Sequence, residues 1–218
     1  MKNYNDEKLY CSKKKIVIIR GSGVDINFHK VQLEPSYPPI TISYVGRLIE
    51  DKGIENLIKA FNLAFKVNKN IKLLLVGALD SKNLRPISKE YIKDSIRKSA
   101  NIEYIGEVED VREIWKVSHI AILPSKREGL PKSLLEAASA GRAIISTDVP
   151  GSREIAINSV NAETVMLGDV KALAKAIIYL SKNHKVRKKY GFKSRELVES
   201  DMSEEQVINS TLSLYKNF

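Results

Sequence analysis

The fold is decided by residues 123–154, which read LPSKREGLPKSLLEAASAGRAIISTDVPGSRE. The stretch opens on the end of an apolar strand, passes through a polar loop that holds Glu128, and continues with a helical pattern that carries Glu136. A second apolar strand at residues 143–146 and a turn that contains Gly151 follow. This order predicts one β-loop-α-β unit with two carboxylates at its mouth.

The helix of this unit is predicted from Lys132 to Ala140. Pro131 suits its first turn, where a missing N–H costs nothing, and Gly141 ends it. A helix that begins there points its free N–H groups and its positive dipole end into the crevice that both carboxylates border. The crevice therefore suits an anionic ligand such as a phosphate, while the carboxylates suit the hydroxyl groups of that ligand.

The same alternation of strands and helices continues across the chain. Strands are predicted at residues 40–45, 71–76, 102–104, 120–123, 143–146 and 164–167. Helices are predicted at residues 53–65, 89–100, 111–117, 132–140, 153–157, 170–181, 184–198 and 203–215. Continuous apolar strands between amphipathic helices predict an α/β fold, a Rossmann-like doubly wound parallel sheet that is covered on both faces.

The chain divides into a tail, a linker, one main domain and a last helix. A further apolar strand is predicted at residues 15–20, and Ser203 and Gln206 have the spacing of a capping box ahead of the last helix. The predicted parts are an N-terminal tail at 1–14, a first strand with a turn and a Pro-rich linker at 15–39, a Rossmann-like nucleotide-sugar-binding domain at 40–200, and a C-terminal helix at 201–218.

The net charge of +10 is spread along the chain and not gathered in one block. Basic residues cluster at 13–15 and at 182–193. The helical spacing of the second cluster is typical of a solvated helix face, and the alternative is attraction to an anionic membrane surface. Nucleic acid is not an expected partner, because no recognition motif or aromatic platform accompanies the charge.

The sequence favours a cytoplasmic location. It contains no apolar run of about 18 residues, and its charged N-terminus lacks the apolar core of a signal peptide. The single cysteine, Cys11, cannot form an internal disulfide and is interpreted as an incidental surface thiol. We therefore expect a cytoplasmic protein, with the inner face of the cell membrane as a peripheral location if the basic helix binds lipid.

Two further loops follow strand ends and face the same crevice. In the first, Arg47 and Lys52 flank a turn ahead of a helix, and a guanidinium with an ammonium there suits a diphosphate. The alternative is that Arg47 and Lys52 are both surface charges, with Lys52 paired locally to Glu50 and Asp51. In the second loop, Gly77 either lets a ligand approach the backbone or only forms a turn.

Other classes of site are not supported. No Gly-x-Gly-x-x-Gly follows the first strand of the sheet and no Walker sequence is present, which excludes the usual dinucleotide and P-loop motifs. His29, His119 and His184 lie apart, so they do not form a metal set. His119 opens an apolar strand and is predicted to be a satisfied core histidine and not a ligand or a base.

From about Gly21 onward the chain resembles the C-terminal, donor-binding half of a family 4 (group 1) glycosyltransferase of the GT-B fold. Its segments GSGVD and GRLIEDKGI resemble those of bacterial transferases that extend lipid-linked sugars for capsule, lipopolysaccharide and other surface glycans. The matching pieces are Gly23-Val24-Asp25, Gly46-Arg47-Leu48 with Lys52-Gly53, Pro124-Ser125, Glu128 and Glu136 within EGLPKSLLEAASAG, and residues 147–154, TDVPGSRE.

The resemblance implies a role for each matched residue. Arg47 and Lys52 hold the donor diphosphate and offset the charge of the leaving group. Glu136 accepts hydrogen bonds from the ribose, Glu128 contacts the donor sugar, and the N–H groups near Gly129 add to phosphate binding. Arg47, Lys52 and Glu128 are thus the expected catalytic residues. The expected donor site comprises Gly46, Arg47, Lys52, Gly77, Glu128, Gly129, Leu130, Pro131 and Glu136.

The resemblance also implies the reaction and its partners. Such enzymes move a sugar, with retention of configuration, from a nucleotide-sugar that is most often UDP-linked to a glycan or a polyprenyl-diphosphate-linked acceptor. Fixed cations do the electrostatic work, so no metal or other cofactor is expected. Two positions depart from the family pattern, because Ala143 stands in place of a proline and Ala162 in place of a glycine.

The chain is about half as long as a two-domain enzyme of this family. We therefore expect the acceptor-binding N-terminal domain to be required for transfer, and apolar surface left by its absence to favour weak self-association. One alternative is a catalytically inactive module, from a split or truncated transferase, that binds nucleotide-sugar or a partner. A glycosidase that uses Glu128 and Glu136 fits less well, because its carboxylates would face each other across a sugar and a basic phosphate loop would have no purpose.

Overall fold

The computed structural model describes residues 19, 21–99 and 101–216. Within them lies a six-stranded parallel sheet in the order β3-β2-β1-β4-β5-β6. The strands are β1 (Ile40–Val45), β2 (Ile71–Val76), β3 (Ile102–Gly106), β4 (Ile120–Leu123), β5 (Ala143–Thr147) and β6 (Ala162–Val165). The four central strands are buried almost throughout, because helices flank the sheet and leave no polar face.

Eight α-helices flank this sheet in the described part of the chain. They are α1 (Ile54–Val67), α2 (Lys89–Lys98), α3 (Val111–Val117), α4 (Lys132–Ser139), α5 (Pro150–Arg153), α6 (Val170–Lys182), α7 (His184–Leu197) and α8 (Glu204–Lys216). Helix α1 packs against α6, while α7 packs against β5 and α4. The predicted α/β class with a parallel sheet is confirmed.

Most elements lie where the sequence predicts them, with shifts at the ends. The helix predicted at 89–100 ends at Lys98. The strand predicted at 15–20 lies outside the described residues apart from Ile19.

Two elements occupy different residues from those predicted. The last strand was expected at 164–167 but spans Ala162–Val165. Its start is held by the buried Asn161, whose side chain donates to the Ile155 carbonyl at 2.8 Å. The helix expected at 153–157 is α5, which begins at Pro150 because proline suits a first helical position.

The strand order reverses between β1 and β4, which lie side by side although two strands separate them in sequence. Ligands of open parallel sheets bind at such a switch point, outside the carboxyl ends of the strands. The loops that meet there follow β1 and β4. They contain Arg47 and Lys52 on one side and Glu128 on the other.

The segment ahead of the sheet is fastened to the last part of the chain. The Val24 N–H donates to the Met202 carbonyl at 3.0 Å, and the Glu204 N–H donates to the Val24 carbonyl at 3.1 Å. Gly23 permits this approach, because it has a φ of 74° and a β-carbon would lie 2.8 Å from the backbone of Ser203. Gly23 and Val24, which belong to one of the matched motifs, therefore also join the segment ahead of the sheet to the segment before α8.

Candidate active site

Backbone hydrogen bonds join three loops at the carboxyl edge of the sheet. The Leu48 N–H donates to the Ala78 carbonyl at 2.8 Å, which ties the loop after β1 to the loop after β2. The Lys126 N–H donates to the Asp51 carbonyl at 2.8 Å, which ties the loop after β4 to the first loop. The side chains on these loops are consequently held in one crevice with little freedom of the backbone.

Lys52 and Glu128 form an ion pair across the switch point. The Lys52 Nζ lies 2.5 Å from Glu128 Oε1, and the Glu128 side chain is only 8% exposed. The alternative expectation, that Lys52 pairs with the acidic residues next to it, is therefore wrong. Because carboxylates are rarely buried without a partner, the ammonium and the carboxylate fix each other at the floor of the crevice.

Arg47 has its guanidinium in solvent. Its NH1 group lies 3.2 Å from Asp80 Oδ2, and its side chain is 61% exposed. Its backbone is fixed, because the buried Tyr44 hydroxyl donates to the Arg47 carbonyl at 2.7 Å. Burial raises the pKa of Tyr44, so this hydroxyl stays protonated at any physiological pH. An exposed ion pair is worth little, so the guanidinium can exchange Asp80 for an anionic ligand at small cost.

Helix α4 begins at this crevice without a side-chain cap. Pro131 is its N-cap residue, and the Pro131 carbonyl accepts from the N–H groups of Leu134 and Leu135 at 3.0 and 3.2 Å. The preceding loop is packed tightly, because a β-carbon on Gly151 would lie 1.7 Å from the Gly129 carbonyl oxygen. The N-terminal end of α4 and its positive dipole end are therefore anchored beside Glu128.

Glu136 is buried on α4 near two basic side chains. Its Oε1 lies 4.0 Å from both Lys132 Nζ and His29 Nε2. Burial raises the pKa of Glu136, and Lys132 opposes that shift. Burial also lowers the pKa of His29, as do the neighbouring Arg112 and Lys132. A neutral imidazole forms no strong ion pair, so the carboxylate keeps its capacity to accept from the hydroxyls of a ligand.

We expect Glu136→Gln to raise the free energy of unfolding at pH 7 by about 1 kcal/mol. Because the pKa of Glu136 is raised on folding, its ionisation costs stability as pH rises through the folded-state value, and the amide avoids that cost. The gain should vanish at about pH 3, where the carboxyl is protonated in both states. Urea denaturation at the two pH values measures it, with the exposed Glu113→Gln as control. An equal gain at both values would contradict the burial argument.

Sequence reasoning missed the position of His29 beside Glu136. The spacing of the three histidines carried no signal for it, because tertiary packing alone brings the two residues together. The prediction that His119 is a core histidine is confirmed, since it is 2% exposed and burial lowers its pKa to about 4. Its Nδ1 accepts from the Thr41 N–H at 3.0 Å, but its buried Nε2 has no hydrogen-bond partner among the described residues, so only one ring nitrogen is satisfied.

Gly46 and Gly77 lie at adjacent strand ends. A β-carbon on Gly77 would lie 2.1 Å from the Gly46 carbonyl oxygen, and Gly77 has a φ of 132°. The close approach of the two loops thus accounts for glycine at 77. A contact of either glycine with a ligand stays a prediction, as do the contacts predicted for Leu130 and Pro131.

Neither a metal site nor a membrane-spanning helix is found among the described residues. No group of three or more histidine, cysteine, aspartate or glutamate side chains there is placed to hold a metal ion. None of the helices in the same part of the chain is both long enough and apolar enough to cross a membrane.

The sequence profile of the glycosyl transferases group 1 family matches residues 25–197. Among curated relatives, the chain is 30% identical to the capsular polysaccharide biosynthesis glycosyltransferase CapM of Staphylococcus aureus, over 95% of this chain and 57% of the relative. It is 25% identical to the N,N'-diacetylbacillosaminyl-diphospho-undecaprenol alpha-1,3-N-acetylgalactosaminyltransferase of Campylobacter jejuni, over 82% of this chain and 48% of the relative. The chain therefore spans about half the length of the curated relatives it matches.

Solved structures share the fold. A glycosyltransferase from Rickettsia africae superposes with a TM-score of 0.81 at 22% identity, over 95% of this chain and 58% of that one. Anabaena HepE, solved with UDP and glucose, superposes with a TM-score of 0.76 at 18% identity, over 90% of this chain and 56% of that one. At these identities the similarity concerns the fold alone.

Proposed function

The chain belongs to the glycosyl transferases group 1 family, and on that premise we propose that it is the donor-binding half of a sugar transferase. The observation that carries the proposal is the crevice in which Arg47 and the Lys52–Glu128 pair lie at the switch point of the sheet. An ammonium that is paired with a buried carboxylate, together with an exposed guanidinium, suits a diphosphate that is joined to a sugar.

In the proposed complex the donor diphosphate lies between the two cations and the N-terminus of α4. The Arg47 guanidinium leaves Asp80 and donates to the phosphate oxygens, while Lys52 contributes a point charge. Glu136 accepts from the ribose hydroxyls, and Glu128 faces the transferred sugar. The ion pair with Lys52 offsets the charge of Glu128 toward the phosphates.

Catalysis in this proposal is electrostatic. Negative charge develops on the diphosphate as the glycosidic bond breaks, and cations that are already in place stabilise it without reorganisation. The Glu128 carboxylate favours positive charge on the sugar ring. We propose that no metal ion is required and that the anomeric configuration is retained.

The substrates are proposed from the relatives. UDP is the proposed nucleotide, because HepE, which has the same fold, was solved with UDP and glucose. A glycan or polyprenyl-diphosphate-linked acceptor in surface polysaccharide synthesis is proposed, because one relative is named for a diphospho-undecaprenol acceptor and another for capsule synthesis.

A second domain is proposed to bind that acceptor, since the relatives are about twice as long as the part matched here. Such a domain would exclude water and position the attacking hydroxyl, and positioning of this kind is worth about 7–11 kcal/mol of barrier. We accordingly propose that the chain alone binds donor nucleotide and transfers sugar poorly. We also propose that the chain by itself associates weakly with another copy, through apolar surface that such a domain would cover.

Calorimetric titration of UDP, GDP and ADP tests the donor site. We expect UDP to bind in preference to the other two, and Arg47→Ala and Glu136→Ala each to weaken UDP binding about tenfold or more. Arg97→Ala is a matched control, because Arg97 is also exposed and paired with an aspartate, at 3.0 Å, and should leave the affinity unchanged. Equal binding of UDP to the wild type and to the Arg47 and Glu136 variants would contradict the proposal.

A further inference from the structure

A basic cavity of about 620 Å³ opens at Arg47 and Lys52 and extends beyond them. Arg47 and Lys52 form one side of it. The remaining lining comes from the turn at 49–51, from residues 83–85 after β2 and from residues 126–127 after β4, none of which the sequence analysis assigned to the donor site. The lining residues are Arg47, Ile49, Asp51, Lys52, Asn83, Leu84, Arg85, Lys126 and Arg127.

Backbone hydrogen bonds hold the loops that form the walls of this cavity. The Glu50 N–H donates to the Arg85 carbonyl at 3.0 Å, which fixes the loop after β2 to the turn after β1. Together with the bond from Lys126 to Asp51 described above, this places three loops around one opening. Their basic side chains therefore converge because the backbones are joined.

The added cations are held by partners that a ligand can replace. Arg127 NH2 lies 3.2 Å from Asp51 Oδ2, Arg85 NH1 lies 3.7 Å from Asp51 Oδ1, and Lys126 pairs with Glu50. The side chains of Arg85 and Arg127 are 60% and 85% exposed. Ion pairs as exposed as these contribute little to stability, so an anion that enters the cavity can recruit the cations cheaply.

The donor does not account for this cavity. The N-terminus of α4 and Glu136, which hold the diphosphate and the ribose in the proposed complex, do not line it. Five basic side chains and one acidic side chain do, counted among the lining residues named above. A single donor diphosphate that is already held by Arg47, Lys52 and a helix N-terminus leaves Arg85, Lys126 and Arg127 without a ligand.

We propose that Arg85, Lys126 and Arg127 form a second anion site that binds a phosphate or diphosphate group of the acceptor. The inference rests on the proposed function, because the cavity shares Arg47 and Lys52 with the proposed donor site. A phosphate bound there places an acceptor with a sugar close to its diphosphate within reach of the donor. The class of acceptor is thus a short glycan joined to a diphosphate.

The test is calorimetric titration of inorganic pyrophosphate into the chain saturated with UDP. Saturation fills the donor site, so the remaining heat reports the second site. We expect binding that Arg85→Ala/Arg127→Ala weakens about tenfold or more, while the affinity for UDP changes less than about threefold. The control is Arg97→Ala/Lys116→Ala, which removes the same charge from α2 and α3 and should change neither.

Three outcomes would overturn the inference. In the first, pyrophosphate does not bind the UDP-saturated chain or binds the double variant equally well. In the second, the wild type binds UDP-glucuronate more tightly than UDP-glucose and the double variant does not, which assigns the cavity to an acidic donor sugar. In the third, phosphatidylglycerol vesicles bind through Arg85 and Arg127 but pyrophosphate does not, which assigns it to a membrane headgroup.

Failure of the proposed function would give a different result. If UDP does not bind, pyrophosphate is titrated alone into the Arg85→Ala/Arg127→Ala and Arg47→Ala variants. Loss of binding in the double variant, with binding retained in Arg47→Ala, would support the anion site by itself. A chain that does not bind UDP but still binds pyrophosphate through Arg85 and Arg127 would contradict the proposed donor site and leave the anion site supported.

Discussion

Lys52→Met should weaken UDP binding between about tenfold and a hundredfold and lower the free energy of unfolding by about 3 kcal/mol. The loss of affinity follows from removal of a point charge that the proposed complex places on the diphosphate. The loss of stability follows from Glu128, whose side chain is only 8% exposed and whose Oε1 lies 2.5 Å from the ammonium. Without Lys52 the carboxylate would be buried beside a methyl group.

The two effects separate in a second variant. Lys52→Met/Glu128→Gln should recover most of the lost stability, because the uncompensated buried charge is gone, but should not recover UDP binding. Lys126→Met is the matched control, since its partner Glu50 has a 44% exposed side chain and exposed pairs contribute at most about 1 kcal/mol. Chemical denaturation and calorimetry measure both quantities. Unchanged UDP affinity in Lys52→Met would contradict the proposed donor site.

Gly151→Ala should destabilise the protein by about 3 kcal/mol and weaken UDP binding with it. A β-carbon at 151 would lie 1.7 Å from the Gly129 carbonyl oxygen and 2.4 Å from that of Glu128. Both atoms belong to backbone, so the loop that carries Glu128 and leads into α4 must move as a whole. Displacement of that loop changes the floor of the crevice and the helix N-terminus together.

Gly129→Ala is the control for this contact. Gly129 belongs to the loop that carries Glu128, but a β-carbon on it would meet nothing within 4 Å. The change should therefore cost less than about 1 kcal/mol. Thermal denaturation of both variants gives the comparison, and UDP titration at a temperature where both are folded gives the functional effect. A Gly151→Ala protein as stable as the Gly129→Ala protein would show that the loop does not depend on this packing.

Local patterns predicted the elements of the fold well. The strands at 40–45, 71–76 and 120–123 are found at the same residues, because a parallel strand buried on both faces must be a continuous apolar run. Helix α3 is also found as predicted, with Asp110 as its N-cap. The last strand was placed two residues late because Met166 and Leu167 are apolar yet exposed, and only the buried Asn161 marks where the strand begins.

The sequence by itself determined the α/β class, the parallel sheet, and which loops follow strand ends, since these depend on periodicity and on turn residues that act over a few positions. It also predicted that Arg47, Lys52, Glu128 and Glu136 border one crevice, since every parallel strand ends at the same edge, and of these Lys52 and Glu128 are in direct contact.

Only the tertiary structure decided which of these charges meet. Lys52 pairs with Glu128 and not with its acidic neighbours, His29 lies beside Glu136, and Arg85 and Arg127 converge on Asp51. Each of these contacts joins residues that are distant in the chain. Their distances depend on the strand order and on backbone bonds between loops, and no local pattern of residues encodes either.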